Sequence, residues 1–123
     1  MASQTPAIPE SLPPHELRNA LKRTLKETLE RMDSDEFVFA QDTLNEEERN
    51  AAMIARGGVF RAWRKLNNED LDAIRDQLVA NEPELRTATA SLEQSLKDLS
   101  KVTQVVNTVN AFLAVATKAL TIL

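Results

Sequence analysis

The sequence predicts an all-α fold: a bundle of four to five helices packed on a C-terminal helix of about forty residues. Three observations carry that prediction. Apolar residues recur at steps of three and four along most of the chain. Punctuation is nearly absent after residue 14, where only Pro83 and the pair Gly57-Gly58 stand. Leucine or valine then returns at every seventh position from Leu85 to Leu120. Alternating Val/Ile/Tyr runs of the kind that form sheets are missing, and there is no tyrosine at all.

The chain opens on a proline-rich stretch, with Pro6, Pro9, Pro13 and Pro14 among Ser, Thr and Ala. Proline fixes φ and lacks a donor, so residues 1–13 are expected to form a flexible arm, with a single helical domain over 14–123. The first helix is expected over residues 14–32, where Leu17, Leu21, Leu25, Leu29 and Met32 share one face. Residues 33–35 turn the chain. The stretch that follows, EFVFAQDTL, fits either a short helix or an extended segment tucking Phe37 and Phe39 under the bundle.

Asn45 with Glu48 three residues later reads as a capping pair, and Glu46 and Glu47 suit the positive end of a helix dipole. From there Ala52, Ala55, Val59, Ala62 and Leu66 hold one phase straight through the two glycines. A continuous helix is therefore expected. The small face of Ala51, Ala55, Gly58 and Ala62 would admit a close neighbour. Asn67-Asn68 is read as the end of that helix and the cap of the next, whose stripe is Leu71, Ile74 and Leu78. Asn81-Glu82-Pro83 stops it, and Pro83 is suited to open a further helix.

The last helix is expected to be the spine. Leu85, Leu92, Leu99, Val106, Leu113 and Leu120 form a seven-residue seam, with Ala88, Ser95, Val102, Val109, Ala116 and Leu123 three places later. After Asn110 this helix turns apolar on every side. A helix apolar all round is buried all round. The burial could come from the chain's own core, from a partner or second copy, or from a membrane. Gln104, Asn107, Asn110 and Lys118 disfavour a membrane because such groups are costly in lipid. On this reading the candidate interaction residues are Leu99, Val106, Val109, Phe112, Leu113, Val115, Leu120 and Leu123.

A second candidate surface runs along the helix at 45–66. Arg49, Met53, Arg56, Phe60 and Arg64 form a stripe beside the apolar one, with Trp63 at its border. Arginines interleaved with aromatics can grip phosphates or acidic partners. They can equally snorkel beside packed Met and Phe.

Composition narrows the chemistry. With no cysteine, disulfides, thiol catalysis and thiolate metal sites are excluded. The single histidine, His15, has no second histidine to share a metal. Asp33-Ser34-Asp35-Glu36 begins like a calcium loop, but Val38 and Leu44 stand where its glycine and final acid belong. No catalytic, cofactor-binding or metal-ligating set is expected. The net charge of −4 falls entirely within residues 34–58, the remaining segments balancing to zero. Such a patch gives no drive toward nucleic acid. No basic leader precedes an apolar run, so a cytoplasmic location is expected. The function expected is a small non-enzymatic protein–protein interaction or assembly module that self-associates through its C-terminal heptad helix. The alternative is a toxin-like protein that inserts its apolar C-terminal segment into a membrane.

Overall fold

The computed structural model describes residues 13–120. Residues 1–12 of the expected arm, and Leu123 of the expected seam, lie outside the described residues. Every regular element among the described residues is helical, and the first helix, α1, is Pro14–Met32. Its buried face is Leu17, Leu21, Leu25, Thr28 and Met32. Thr28 takes a core position that leucine periodicity alone assigns to Leu29, which is only half-buried. The Thr28 hydroxyl satisfies itself by donating to the Thr24 carbonyl at 2.7 Å, so burying it carries little penalty.

Ser34 caps a short helix, α2 (Asp35–Ala40), its hydroxyl accepting from the Phe37 amide at 3.4 Å. A 3₁₀ turn over Gln41–Thr43 follows. Only one of the two phenylalanines tucks under the bundle. Phe37 is buried while Phe39 is 66% exposed.

Helix α3 (Glu46–Asn68) opens on a complete capping box. The Glu48 amide donates to Asn45 Oδ1 at 2.8 Å, and the Asn45 amide donates to Glu48 Oε1 at 3.3 Å. The helix runs unbroken through Gly57 and Gly58 and extends through Asn68. Asn67 and Asn68 therefore do not cap the next helix, α4 (Leu71–Ala80). Asp70 does, by accepting from the Asp72 amide at 3.1 Å. Asn81 ends α4, and Glu82 and Pro83 begin α5 (Glu82–Ser95).

The expected forty-residue spine is not one helix. It is α5 and a separate α6 (Val102–Ala119), packed against each other as a hairpin. At residues 96–101 the chain tightens through i→i−3 bonds, Asp98 to the Ser95 carbonyl at 3.2 Å and Lys101 to the Asp98 carbonyl at 3.3 Å. The Asp98 carboxylate accepts from both the amide and the hydroxyl of Ser100, which holds its pKa below the usual carboxylate range. Side chains that bond their own backbone in this way compete with helix propagation. Lys118 and Glu84 join the open ends of the hairpin at 3.1 Å.

A seven-residue seam survives such a turn because each half faces the same core. Leu85 and Leu92 on α5, Leu99 in the turn, and Val102, Val106, Val109, Ala116 and Leu120 along α6 are all buried. α6 packs on α5, α3 and α4, while α3 packs on both α6 and α1. The side chain of Leu113 lies directly over Gly58, where a Cβ would stand 2.7 Å from its Cδ1. The glycine thus gives α6 its close approach to α3. At the far end Arg18 of α1 donates from Nη2 to the carbonyls of Leu66 and Glu69, at 3.1 and 2.9 Å, closing the C-terminus of α3. Arg31 reaches the Leu96 carbonyl at 3.3 Å and ties α1 to the hairpin turn.

Candidate protein-interaction surface

The C-terminal residues expected to meet a partner are mostly used inside the chain. Leu99, Val106, Val109, Phe112 and Leu120 are buried in the core, and Leu113 and Val115 are half-buried against it. Large apolar side chains stay exposed at Val38 and Phe39 on α2, at Val79 on α4, and at three positions on the outward face of α3. The inner face of α3 is Ala52, Ala55, Val59, Ala62 and Leu66. At 100° per residue, Met53, Ile54, Gly57, Phe60, Arg61 and Arg64 point the other way. Met53 is 63% exposed, Ile54 67% and Phe60 38%, three large apolar side chains on two turns of one helix.

The second expected stripe is divided by this geometry. Arg56 turns aside to a bidentate pair with Asp33, at 2.7 and 3.0 Å, which lowers the Asp33 pKa through hydrogen bonding and raises that of Arg56. Arg49 turns back to the Leu44 carbonyl at 2.6 Å. Met53, Phe60 and Arg64 stay together on the outer face. The Arg64 guanidinium lies 5.8 Å from the centre of the Phe60 ring, which in turn sits 6.3 Å from the ring of Trp63. Trp63 is half-buried against the core.

Ile54, Gly57 and Arg61 belong to the same face, outside the stripe that the arginines and aromatics mark in the sequence. The signal for them is a second 3–4 stripe, Glu47, Asn50, Ile54, Gly57, Arg61 and Arg64. Arg61 folds over Gly57, where a Cβ would stand 3.3 Å from Nη1. A shallow open groove along the first half of the helix is lined by Asn45, Glu46, Glu47, Asn50, Ala51 and Ile54.

The charges on this face are sorted by position. Glu46 and Glu47 lie at the N-terminal end, and Arg61 and Arg64 at the C-terminal end. Among the described residues none of these four forms an ion pair. The described residues include no group of three His, Asp or Glu placed to hold a metal ion. None of the described helices is long and apolar enough to cross a membrane. No family model matches the chain, and no curated protein or solved structure matches it either.

Proposed function

We propose that this chain is a small non-enzymatic protein–protein interaction module whose contact surface is the outward face of α3. The observation that supports it is the cluster of Met53, Ile54 and Phe60, exposed on a helix whose opposite face is fully engaged with α1 and α6. Isolated exposed apolar residues are ordinary on a monomer. Several on adjacent turns, rimmed by charge, mark a contact site. The C-terminal seam has a lesser part in this proposal than the sequence suggested, because its larger side chains are spent on the core.

A photo-reactive amino acid in place of Ile54, activated in cells, tests the reading. The expected result is protein adducts of defined mass that do not form when the same group replaces the exposed Glu93 on α5. Adducts at neither position, or equally at both, would contradict it. Lipid adducts in place of protein adducts would favour a membrane-active protein instead.

A further inference from the structure

We propose that the partner of this face is a second copy of the chain, docked antiparallel through α3 in a two-fold pair. The inference rests on the contact surface just assigned and adds its occupant. The stripe of Glu47, Asn50, Ile54, Gly57, Arg61 and Arg64 has steps of 3, 4, 3, 4 and 3. That pattern reads the same in both directions, so it can oppose itself about a two-fold axis, as an isologous interface requires.

Reversed on itself, the stripe is complementary at every level. Glu47 faces Arg64 of the second copy, Asn50 faces Arg61, and Ile54 faces Gly57, each pair occurring twice. The charges match because acid and base are segregated to opposite ends of the helix. A parallel pairing would place like charges together, which destabilises association. Shape matches as well. Ile54, the most exposed large apolar side chain on the helix, meets the position with no side chain.

Two adjustments complete the pair. Arg61, which covers Gly57 in the free chain, swings outward to Asn50 and Glu47 of the other copy and uncovers the gap. On one flank Met53 then reaches Phe60 of the second copy, a sulfur–aromatic contact. On the other flank Ala51 is small and Gly58 lies beneath Leu113 of the same chain, so the close approach rests on Gly57 and Ala51. From Glu47 to Arg64 the contact spans about 26 Å of helix. This is at the small end for a specific interface, and the dimer is accordingly weak and salt-sensitive.

Sedimentation velocity tests the proposal over a concentration series from micromolar to millimolar, at low salt. Wild-type chain, of 13.7 kDa, is expected to move from monomer toward dimer as concentration rises. Glu47→Arg and Arg64→Glu should each weaken self-association at least about tenfold, since each places like charges opposite one another twice. Mixed in equal amounts, the two variants should form a heterodimer, because every opposed pair is again of opposite sign. Circular dichroism confirms that each remains helical; both substitutions are on exposed positions. A wild type that stays monomeric throughout, or a mixture that associates no better than either variant alone, would overturn the two-fold pairing. In either case, protein adducts from position 54 that contain a different chain would leave the contact surface standing and remove only the second copy as its occupant.

Discussion

The two adjacent glycines of α3 give opposite answers to the same substitution. Both lie in a regular helix with no positive φ, so alanine meets no backbone strain at either position. In a helix interior alanine is favoured over glycine by about 1 kcal/mol. At Gly57 the new methyl would have only the Arg61 guanidinium near it, at 3.3 Å, the far end of an exposed chain that can move aside. Gly57→Ala should therefore keep most of that gain and raise Tm by about 4 °C. At Gly58 the methyl would sit 2.7 Å from Leu113 Cδ1, closer than carbon atoms pack. Leu113 must shift, and α6 with it if the rotamer cannot; overpacking of this kind costs about 1–3 kcal/mol. Gly58→Ala should then be neutral to destabilising by about 2 kcal/mol. Removing the obstacle isolates the cause. In a Leu113→Ala background, Gly58→Ala should recover the helix-propensity gain, giving a coupling of at least about 1 kcal/mol. Urea unfolding at low protein concentration reads all four variants. Equal stabilisation by Gly57→Ala and Gly58→Ala would refute the close approach of α6 to α3.

Phe112 is fully buried between α6 and its neighbours, and Phe112→Ala should cost about 3–5 kcal/mol, a large share of a small domain's stability. Urea unfolding with a loss below 1 kcal/mol, by the scale of a surface change, would place that side chain outside the core. Arg18→Met keeps the apolar stem but removes the donor to the Leu66 and Glu69 carbonyls, and should lower stability by about 1.5 kcal/mol. The loss is held down because Arg18 Nε, buried without a partner among the described residues, is removed too. Hydrogen exchange should rise first in the last turn of α3; unchanged protection there would argue against the cap. The Asp33–Arg56 pair is exposed, so Asp33→Asn should cost less than about 1 kcal/mol at neutral pH. Because the folded pKa of Asp33 is depressed, its contribution is present above the ordinary carboxylate range and fades as pH falls through the folded value. The difference between wild type and Asp33→Asn should thus vanish in acid, and a difference that persists there would have another cause.

The helices that announce themselves in the sequence are those with chemical signals at their ends. Asn45 and Glu48 fix the start of α3, Pro83 sits in the first turn of α5, and the phase of Ala52 to Leu66 carries α3 past two glycines. The break at residues 96–101 carries no glycine or proline. Its only mark is Asp98 with Ser100, a pair that bonds its own turn, and the seven-residue spacing continues across it undisturbed. Such spacing states which residues share a face. It does not say whether the helix bearing them is one rod or two halves folded together. The same ambiguity moved Val106, Val109 and Phe112 from expected interface to core. In α2 the segment is too short for periodicity to choose between Phe37 and Phe39. On α3 Arg49 and Arg56 share a stripe with Met53, Phe60 and Arg64, but their partners, the Leu44 carbonyl and Asp33, come from outside the helix and turn them aside. Met53, Phe60 and Arg64 were legible; Ile54, Gly57 and Arg61 required the direction of the buried face to be known.

The folding back of the heptad seam is what buries the C-terminal residues in the core, and one distance tests it. The chain has no cysteine, so Glu84→Cys with Lys118→Cys gives two unique sites for nitroxide labels. These residues form an ion pair at 3.1 Å across the hairpin. The hairpin predicts strong short-range dipolar broadening in the spectrum of dilute, doubly labelled protein. A single continuous helix would hold the same two positions about 51 Å apart. A narrow spectrum with a dipolar distance near that length would contradict the fold, and with it the assignment of α3 as the contact surface.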